Sequence, residues 1–142
     1  MQLVHETVGP YLVEQGVVPD DADPEVRSLG GGVSNGVFHV VWDDDAVVVK
    51  QPLANLAVED DWPADVDRVH NEAAAARVYR RVVDAYDLED VVVPAVRFED
   101  RDDHVIAIDA APLSAETWKA DLLDGRVDES VGAVVGSFLG TA

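Results

Sequence analysis

The sequence predicts an α+β fold in which a small antiparallel sheet packs with one long helix. Two observations support this prediction. Short valine-rich segments alternate with glycine- and aspartate-rich turns, as expected for neighbouring antiparallel strands. A single stretch, residues 65–86, carries apolar residues at helical spacing over many turns and contains a run of four alanines and a glutamate.

The first half of the chain is expected to form one helix followed by three strands. Apolar residues recur at helical spacing over 3–15, and a glycine follows directly. Three successive aspartates supply a tight polar turn between the second and third strands. The strands are predicted over residues 26–29, 37–42 and 46–51.

The second half is expected to begin with the long helix over 65–86 and to continue into a hairpin. After Pro112 the pattern becomes helical, which suggests a boundary between two regions. We therefore predict a mixed α+β unit over 1–111 and the beginning of a helical unit over 112–142. The hairpin strands are predicted over 95–99 and 104–108, and the later helices over 114–123 and 129–139.

The charge of the chain excludes several classes of partner. It carries 29 acidic and 10 basic residues, for a net charge of -19. Such a field repels nucleic acid and anionic lipid, so we expect neither as a partner. The preference for aspartate over glutamate and for arginine over lysine resembles the composition of proteins from salt-loving archaea.

With no signal peptide and no membrane-spanning run in the sequence, a cytoplasmic protein is expected. Its oligomeric state is left open, a dimer included.

Metal and thiol chemistry are not indicated. The chain has no cysteine, which excludes disulfides and thiolate ligands. Its four histidines fall in different predicted elements, far apart along the chain. They are therefore interpreted as single core or surface histidines, and no metal site is predicted in this chain.

The residues that indicate chemistry are a glycine-rich loop, a lysine and a glutamate. The stretch from Gly30 to Gly36 lies between two predicted strands, where backbone N–H groups can approach phosphate oxygens. Lys50, one of only two lysines, ends the apolar run of the third predicted strand. Glu72 follows 22 positions later on the long helix. Each is weak evidence alone, but this order is typical of the ATP-binding lobe of kinases.

The motifs resemble the N-terminal lobe of methylthioribose kinases, within the aminoglycoside phosphotransferase and choline kinase superfamily. The similarity runs through Gly30-x-Gly32-x-x-Asn35-x-Val37-Phe38, Val48-Val49-Lys50-Gln51, Trp62-Pro63 and Asp67-Arg68-x-x-x-Glu72-Ala73. It covers residues 26–80 well and continues more loosely to 136–139. Trp62-Pro63 and Arg68 match the methylthioribose branch in particular. Asn35 stands where the glycine-rich pattern has its last glycine.

The resemblance implies roles for individual residues. The loop would cover the phosphates of ATP, Lys50 would bind them, and Glu72 would pair with Lys50. Residues 109–111 would form the hinge that meets adenine. The residues implied in ATP binding are Gly30, Gly32, Ser34, Asn35, Lys50, Glu72, Asp109 and Ala111.

The catalytic half of such an enzyme is not recognisable in the sequence. The superfamily takes its catalytic aspartate from a His-x-Asp loop and its magnesium ligands from the C-terminal lobe. None of the four histidines is followed by aspartate two positions on. We therefore expect an apparently truncated ATP lobe, with no catalytic residue and no metal ligand of its own, that does not turn over alone.

Three interpretations remain open from the sequence. The first is the ATP-binding lobe of a kinase that transfers the γ-phosphate of ATP, with Mg²⁺, to a sugar or amino-alcohol hydroxyl such as that of methylthioribose. The second is a non-catalytic nucleotide-binding or protein-interaction module. The third is an acidic α+β domain whose glycine loop is only a turn.

Overall fold

The computed structural model of the chain describes residues 1–30, 35–54, 64–112 and 114–141. The predicted α+β class is confirmed, since the described residues form a five-stranded antiparallel sheet and four helices. The elements in chain order are α1 (His5–Glu14), β1 (Glu25–Ser28), β2 (Asn35–Trp42), β3 (Asp45–Pro52), α2 (Arg68–Tyr86), β4 (Val96–Asp100), β5 (Val105–Asp109), α3 (Trp118–Leu123) and α4 (Glu129–Thr141).

The strands are arranged in the order β1-β2-β3-β5-β4, with every neighbouring pair antiparallel. β2 and β3 form a hairpin in which Trp42 lies opposite Asp45. The turn between them uses Asp43 at φ 47°, in the left-handed region that Asp tolerates better than most residues. β5 pairs with β3 after the chain has passed through α2, so β3 is the central strand.

One face of the sheet forms the main core with α1. Side chains alternate across a strand, so every second residue of β2 and β3 points to this face. The apolar stripe of α1 packs against them. The buried residues of this cluster are Leu3, Val8, Tyr11, Leu12, Val18, Phe38, Val40, Trp42, Val47, Val49, Val105 and Ala107.

The opposite face carries α2 over one half of its width. Val69 and Ala73 of α2 are buried against Ile106 of β5, with Val96 and Ile108 packed around them. The helix therefore covers the β3, β5 and β4 side of this face. That position brings residues of α2 next to the end of the central strand.

Helix boundaries differ from the sequence prediction by a few residues. α2 begins at Arg68 rather than near residue 65, because Asp65 Oδ1 accepts the backbone N–H of Asp67 (2.9 Å) and closes a turn first. α3 begins at Trp118 rather than at 114, because Thr117 is its N-cap and accepts the Ala120 N–H through its hydroxyl (3.3 Å).

The C-terminal helices are largely exposed. Neither α3 nor α4 has a buried residue within the described part of the chain. α4 meets α2 through Phe138, whose ring packs edge-on against Tyr79 with centroids 5.2 Å apart. Among the described residues, no helix combines the length and apolarity that crossing a bilayer requires.

Candidate functional site

Lys50 and Glu72 form an ion pair between the central strand and the long helix. Lys50 Nζ donates to Glu72 Oε1, so the pairing expected from the resemblance is present. The Lys50 side chain is 23% exposed and that of Glu72 41% exposed. The ammonium group is therefore fixed in direction by the carboxylate and still accessible to a ligand. The binding of ATP phosphates by Lys50 stays a prediction.

Strand register defines which residues share the face with Lys50. Val37 of β2 and Ile106 of β5 lie directly opposite Lys50, on either side of it. Val48 lies two residues earlier on the same face, opposite His39. Ile106 is buried under α2, whereas Val37 and Val48 are only half-buried. A partly exposed apolar strip thus runs from Lys50 along the part of this face that α2 does not cover, beside the buried His39.

A hollow of about 420 Å³ lies at the far end of this strip. It is lined by His39 and Ala46 from the same sheet face, by Asp44 and Asp45 at the β2–β3 turn, and by the segment that leaves β5, residues 109–112. The backbone N–H of Ala110 donates to the carbonyl of Ala46 (3.3 Å), which holds this segment against β3. Ala111 is an exposed residue, and within the described residues no backbone hydrogen bond engages its N–H.

Arg97 fixes the geometry of this end of the sheet. Its guanidinium contacts Asp45 Oδ2 (2.6 Å) and Asp109 Oδ1 (3.3 Å), so it joins the start of β3 to the end of β5. The hydrogen bond from Arg97 is the main cause that lowers the pKa of Asp45, and the same bond raises the pKa of Arg97. Asp109 also accepts the backbone N–H of Ala95 (2.8 Å). Its side chain is therefore engaged in holding the segment, and its backbone remains near the hollow.

The glycine-rich loop is described only at its two ends. Gly32 and Ser34 lie outside the described residues, and their predicted contacts with phosphate stay predictions. Gly30 is exposed, and a Cβ placed on it would meet no atom within 4 Å. Packing among the described residues therefore does not explain the glycine. The side-chain Oδ1 of Asn35, at the start of β2, is buried and has no hydrogen-bond partner among the described residues.

Arg68 has a structural position at the start of α2. Its guanidinium donates to the carbonyl oxygens of Leu53 (3.1 Å) and Asp65, so it connects the end of β3 to the first turn of the helix. Trp62 and Pro63, the other residues that carry the resemblance to the methylthioribose branch, lie outside the described residues.

A larger cavity lies elsewhere, between α1 and β1. Its volume is about 570 Å³, and its lining is mostly apolar. Charge does not distinguish the two, because each is lined by three carboxylates: Glu6, Glu14 and Asp23 here, and Asp44, Asp45 and Asp109 in the hollow near Ala111. The hollow near Ala111 shares its sheet face with Lys50, and this makes it the better candidate for a nucleotide.

The interpretation of the histidines as dispersed is wrong for two of them. His70 of α2 and His104 of the β4–β5 turn lie with their ring centroids 5.6 Å apart. Asp67 completes a group of three residues whose ligand atoms lie within 4.8 Å of one another. Residues 34 positions apart meet here because α2 packs along the β4–β5 hairpin, and no local sequence signal indicates that packing.

Glu99 is the second feature that the sequence did not indicate. It ends the strand predicted over 95–99, and its side chain is only 10% exposed. It accepts from Arg77 (2.6 Å) and His70 Nδ1 (2.9 Å) and forms an ion pair with Arg101 (3.0 Å). Burial acts to raise the pKa of Glu99, but the hydrogen bonds from Arg77 and His70 outweigh it and hold the pKa below its ordinary value.

Comparison with known proteins does not identify a family for this chain. No protein-family model matches the chain, and no curated protein matches it significantly.

Proposed function

We propose that this chain is the ATP-binding lobe of a small-molecule kinase. The observation that carries the proposal is the Lys50–Glu72 ion pair between the central strand and α2, in which both side chains remain partly exposed. In kinases a strand lysine binds the α- and β-phosphates, and a glutamate from the following helix orients it. The same two residue types occupy the same elements of this fold, in the same order.

The surroundings of Lys50 support a nucleotide as the ligand. The phosphate end needs a cation, which Lys50 can supply, and backbone N–H groups, which the sequence predicts for the glycine-rich loop. The base end needs an apolar surface with a polar edge. Val37 and Val48 offer such a surface, and the exposed residue Ala111 borders the hollow at its end. Adenine would pack on the strip and bond to the segment after β5.

Lys50 also matters because of the charge around it. A chain with a net charge of -19 repels ATP at long range, so binding must rely on local positive groups. A lysine already held by a carboxylate loses little side-chain entropy when it binds phosphate. Mg²⁺ would accompany the nucleotide and reduce the repulsion.

The reaction proposed for the complete enzyme is transfer of the γ-phosphate of ATP to a hydroxyl of a sugar or amino alcohol, with methylthioribose as the first acceptor to try. This choice rests on the sequence resemblance alone. The aspartate that receives the hydroxyl proton and the Mg²⁺ ligands would come from polypeptide outside these 142 residues. These residues by themselves would bind nucleotide without turnover. A nucleotide-binding module without catalysis would bind ATP in the same way.

The proposal is tested by titrating the 142-residue chain with Mg-ATP in high-salt buffer and measuring the heat of binding. Lys50→Ala removes a charged hydrogen-bond donor to phosphate, worth about 1.5–3 kcal/mol, so affinity should fall about 10- to 100-fold. Glu72→Gln should weaken binding less, because the lysine remains. Lys119→Ala is the matched control, since it removes the other lysine, on α3, and should leave affinity unchanged.

Two results would contradict the proposal. One is a folded wild-type chain that does not bind Mg-ATP at millimolar concentration. The other is a Lys50→Ala chain, folded by circular dichroism, that binds as tightly as wild type. If binding is present and depends on Lys50, phosphoryl transfer to methylthioribose by the longest natural form of the protein then separates an enzyme from a binding module.

A further inference from the structure

Asp67, His70 and His104 form a side-chain cluster that nucleotide binding does not use. Asp67 and His70 lie at the start of α2, and His104 lies in the turn that leads into β5. One ligand atom from each of the three lies within 4.8 Å of the others. His104 Nδ1 is 3.1 Å from Asp67 Oδ1. Two imidazoles and a carboxylate are donors that divalent transition-metal ions prefer.

His70 is oriented for coordination by Glu99. Its Nδ1 is 2.9 Å from Glu99 Oε1, and the same carboxylate forms ion pairs with Arg77 and Arg101. An ionised carboxylate only accepts, so Nδ1 carries a proton, and Nε2 is the ring nitrogen left to bind a metal. A carboxylate that holds the far nitrogen of a ligating histidine is the usual arrangement around bound metals.

The Nε2 atom of His70 lacks the partner that a buried polar atom requires. It is buried and has no hydrogen-bond partner among the described residues, and the side chain as a whole is only 9% exposed. Leaving such an atom unsatisfied is costly, and native structures rarely do so. A metal ion bound at Nε2 would remove that cost.

His104 presents a second unsatisfied nitrogen to the same place. Its Nδ1 is buried and lies at ion-pair distance from Asp67, but in a geometry that does not make a hydrogen bond. The residue also adopts φ 53°, a conformation that costs a non-glycine residue energy. A cation shared between the imidazole and the carboxylate explains both the short distance and the missing hydrogen bond.

We propose that Asp67, His70 and His104 bind a divalent transition-metal ion of the Zn²⁺ class, with water completing its coordination. Ligands at about 2.0–2.1 Å from a tetrahedral Zn²⁺ lie about 3.3 Å from one another. The Asp67–His104 separation of 3.1 Å is close to this value, and the ligand atoms of all three residues lie within 4.8 Å of one another. Asp67 is 71% exposed, and His104 lines a cavity of about 220 Å³, so the ion can enter from solvent.

The bound ion would join the first turn of α2 to the β4–β5 turn. Without a metal, these two elements are linked by the Asp67–His104 ion pair and by the contact of the two imidazole rings. A metal bridge would add coordination bonds between α2 and the sheet, so its binding would also stabilise the fold. This site does not depend on nucleotide binding.

The test uses Zn²⁺ alone, titrated into the 142-residue chain in the presence of excess Mg²⁺ to occupy surface carboxylates. One tight Zn²⁺ per chain is expected, together with a rise in thermal midpoint. His70→Gln and His104→Asn should each lower the affinity more than about tenfold and abolish the rise, and Asn suits the left-handed backbone at 104. Glu99→Gln, at a positioning residue, should weaken binding about 10- to 100-fold. His5→Gln is the control and should bind as wild type.

Cobalt supplies a readout of the ligands themselves. Co²⁺ in place of Zn²⁺ should give visible absorption of tetrahedral type that is absent in His70→Gln. Two results would overturn the proposal. One is Zn²⁺ affinity in folded His70→Gln and His104→Asn chains equal to that of wild type. The other is a wild-type chain that binds Zn²⁺ only weakly and at many sites, which is the result expected if Asp67 and His104 form only an ion pair.

Discussion

Asp100 holds α1 to the β4–β5 turn with both of its carboxylate oxygens. Oδ2 accepts the hydroxyl of Tyr11 (2.8 Å), and Oδ1 accepts the backbone N–H groups of Asp102 (2.8 Å) and Asp103 (3.0 Å). The N–H of Asp103 is the largest cause that holds the pKa of Asp100 below its ordinary value, followed by the Tyr11 hydroxyl. Burial is the main cause that raises the pKa of Tyr11.

These hydrogen bonds predict an acid-dependent loss of stability at Asp100. A carboxyl whose pKa is lowered by folding stabilises the fold above its unfolded pKa, about 3.9, and this contribution is lost as pH falls through the folded pKa. Asp100→Asn should lower the free energy of unfolding at pH 7 by about 1–2 kcal/mol. The difference from wild type should shrink as the pH falls below about 4, as measured by urea unfolding.

Asp102→Asn is the matched control for this prediction. It makes the same chemical change at an exposed side chain in the same turn, so its effect should be small at every pH. If Asp100→Asn and wild type differ by the same amount at pH 7 and pH 3, the carboxylate charge of Asp100 does not contribute.

At the residue scale, the sequence predicts contacts that follow from the order of the elements. It does not predict contacts between elements that lie far apart along the chain. The pairing of Lys50 with Glu72 was implied by the resemblance to kinase lobes, which rests on the order of loop, lysine and glutamate. The contact of His70 with His104 depends on how far α2 lies along the β4–β5 hairpin, which no periodicity gives. The enclosure of Glu99 by Arg77 and His70 likewise depends on packing under α2.

Among the elements, α2 ends at an unfavourable residue. Its C-cap is Asp87, in the left-handed conformation with φ 53° and ψ 48°. Glycine adopts this conformation without a Cβ penalty and is the usual residue there. Asp87 also places negative charge at the negative end of the helix dipole. Both effects make the end of α2 less stable than it would be with glycine in the same backbone conformation.

Asp87→Gly should therefore raise the free energy of unfolding by about 1 kcal/mol, measured by chemical denaturation. Asp84→Gly, three residues earlier and still helical, is the control with the opposite sign, because glycine inside a helix costs about 1 kcal/mol relative to better helix formers. A loss of stability in both variants would mean that the strain at Asp87 is negligible.

Element type was predicted well and element ends less well. Alternation and helical period decide whether a segment is strand or helix, and both signals are strong over β2, β3 and α2. The ends are set by single side-chain hydrogen bonds. Asp65 delays the start of α2, and Thr117 sets that of α3, through side-chain bonds that hydrophobic periodicity does not indicate.

The whole molecule is dominated by its net charge of -19. The few basic residues are concentrated in pairs and small networks, such as that of Arg97 with Asp45 and Asp109. Most acidic side chains, including those of Asp20 and Asp21, remain exposed and repel one another. Self-repulsion of this size destabilises a compact state unless salt screens it.

We expect the thermal midpoint of the chain to rise as KCl is raised from about 0.1 M to 1 M, where the Debye length falls from about 10 Å to about 3 Å. Circular dichroism melts at fixed pH measure this directly. Replacing both Asp20 and Asp21 with Asn should reduce the slope against salt without changing the core. A midpoint that falls with salt would mean that the ion pairs, rather than the repulsion, dominate.

The insertion of α2 between β3 and β5 has a consequence for folding kinetics. β1, β2 and β3 form a meander whose pairings are local, and β4 with β5 forms a second local hairpin. Among the described strands, the two units pair through β3 and β5 alone, after a connection that runs from Pro52 to Val105. Closing that loop costs more chain entropy than either local pairing. We therefore expect the meander to form early and the closure at β3 and β5 to limit the folding rate.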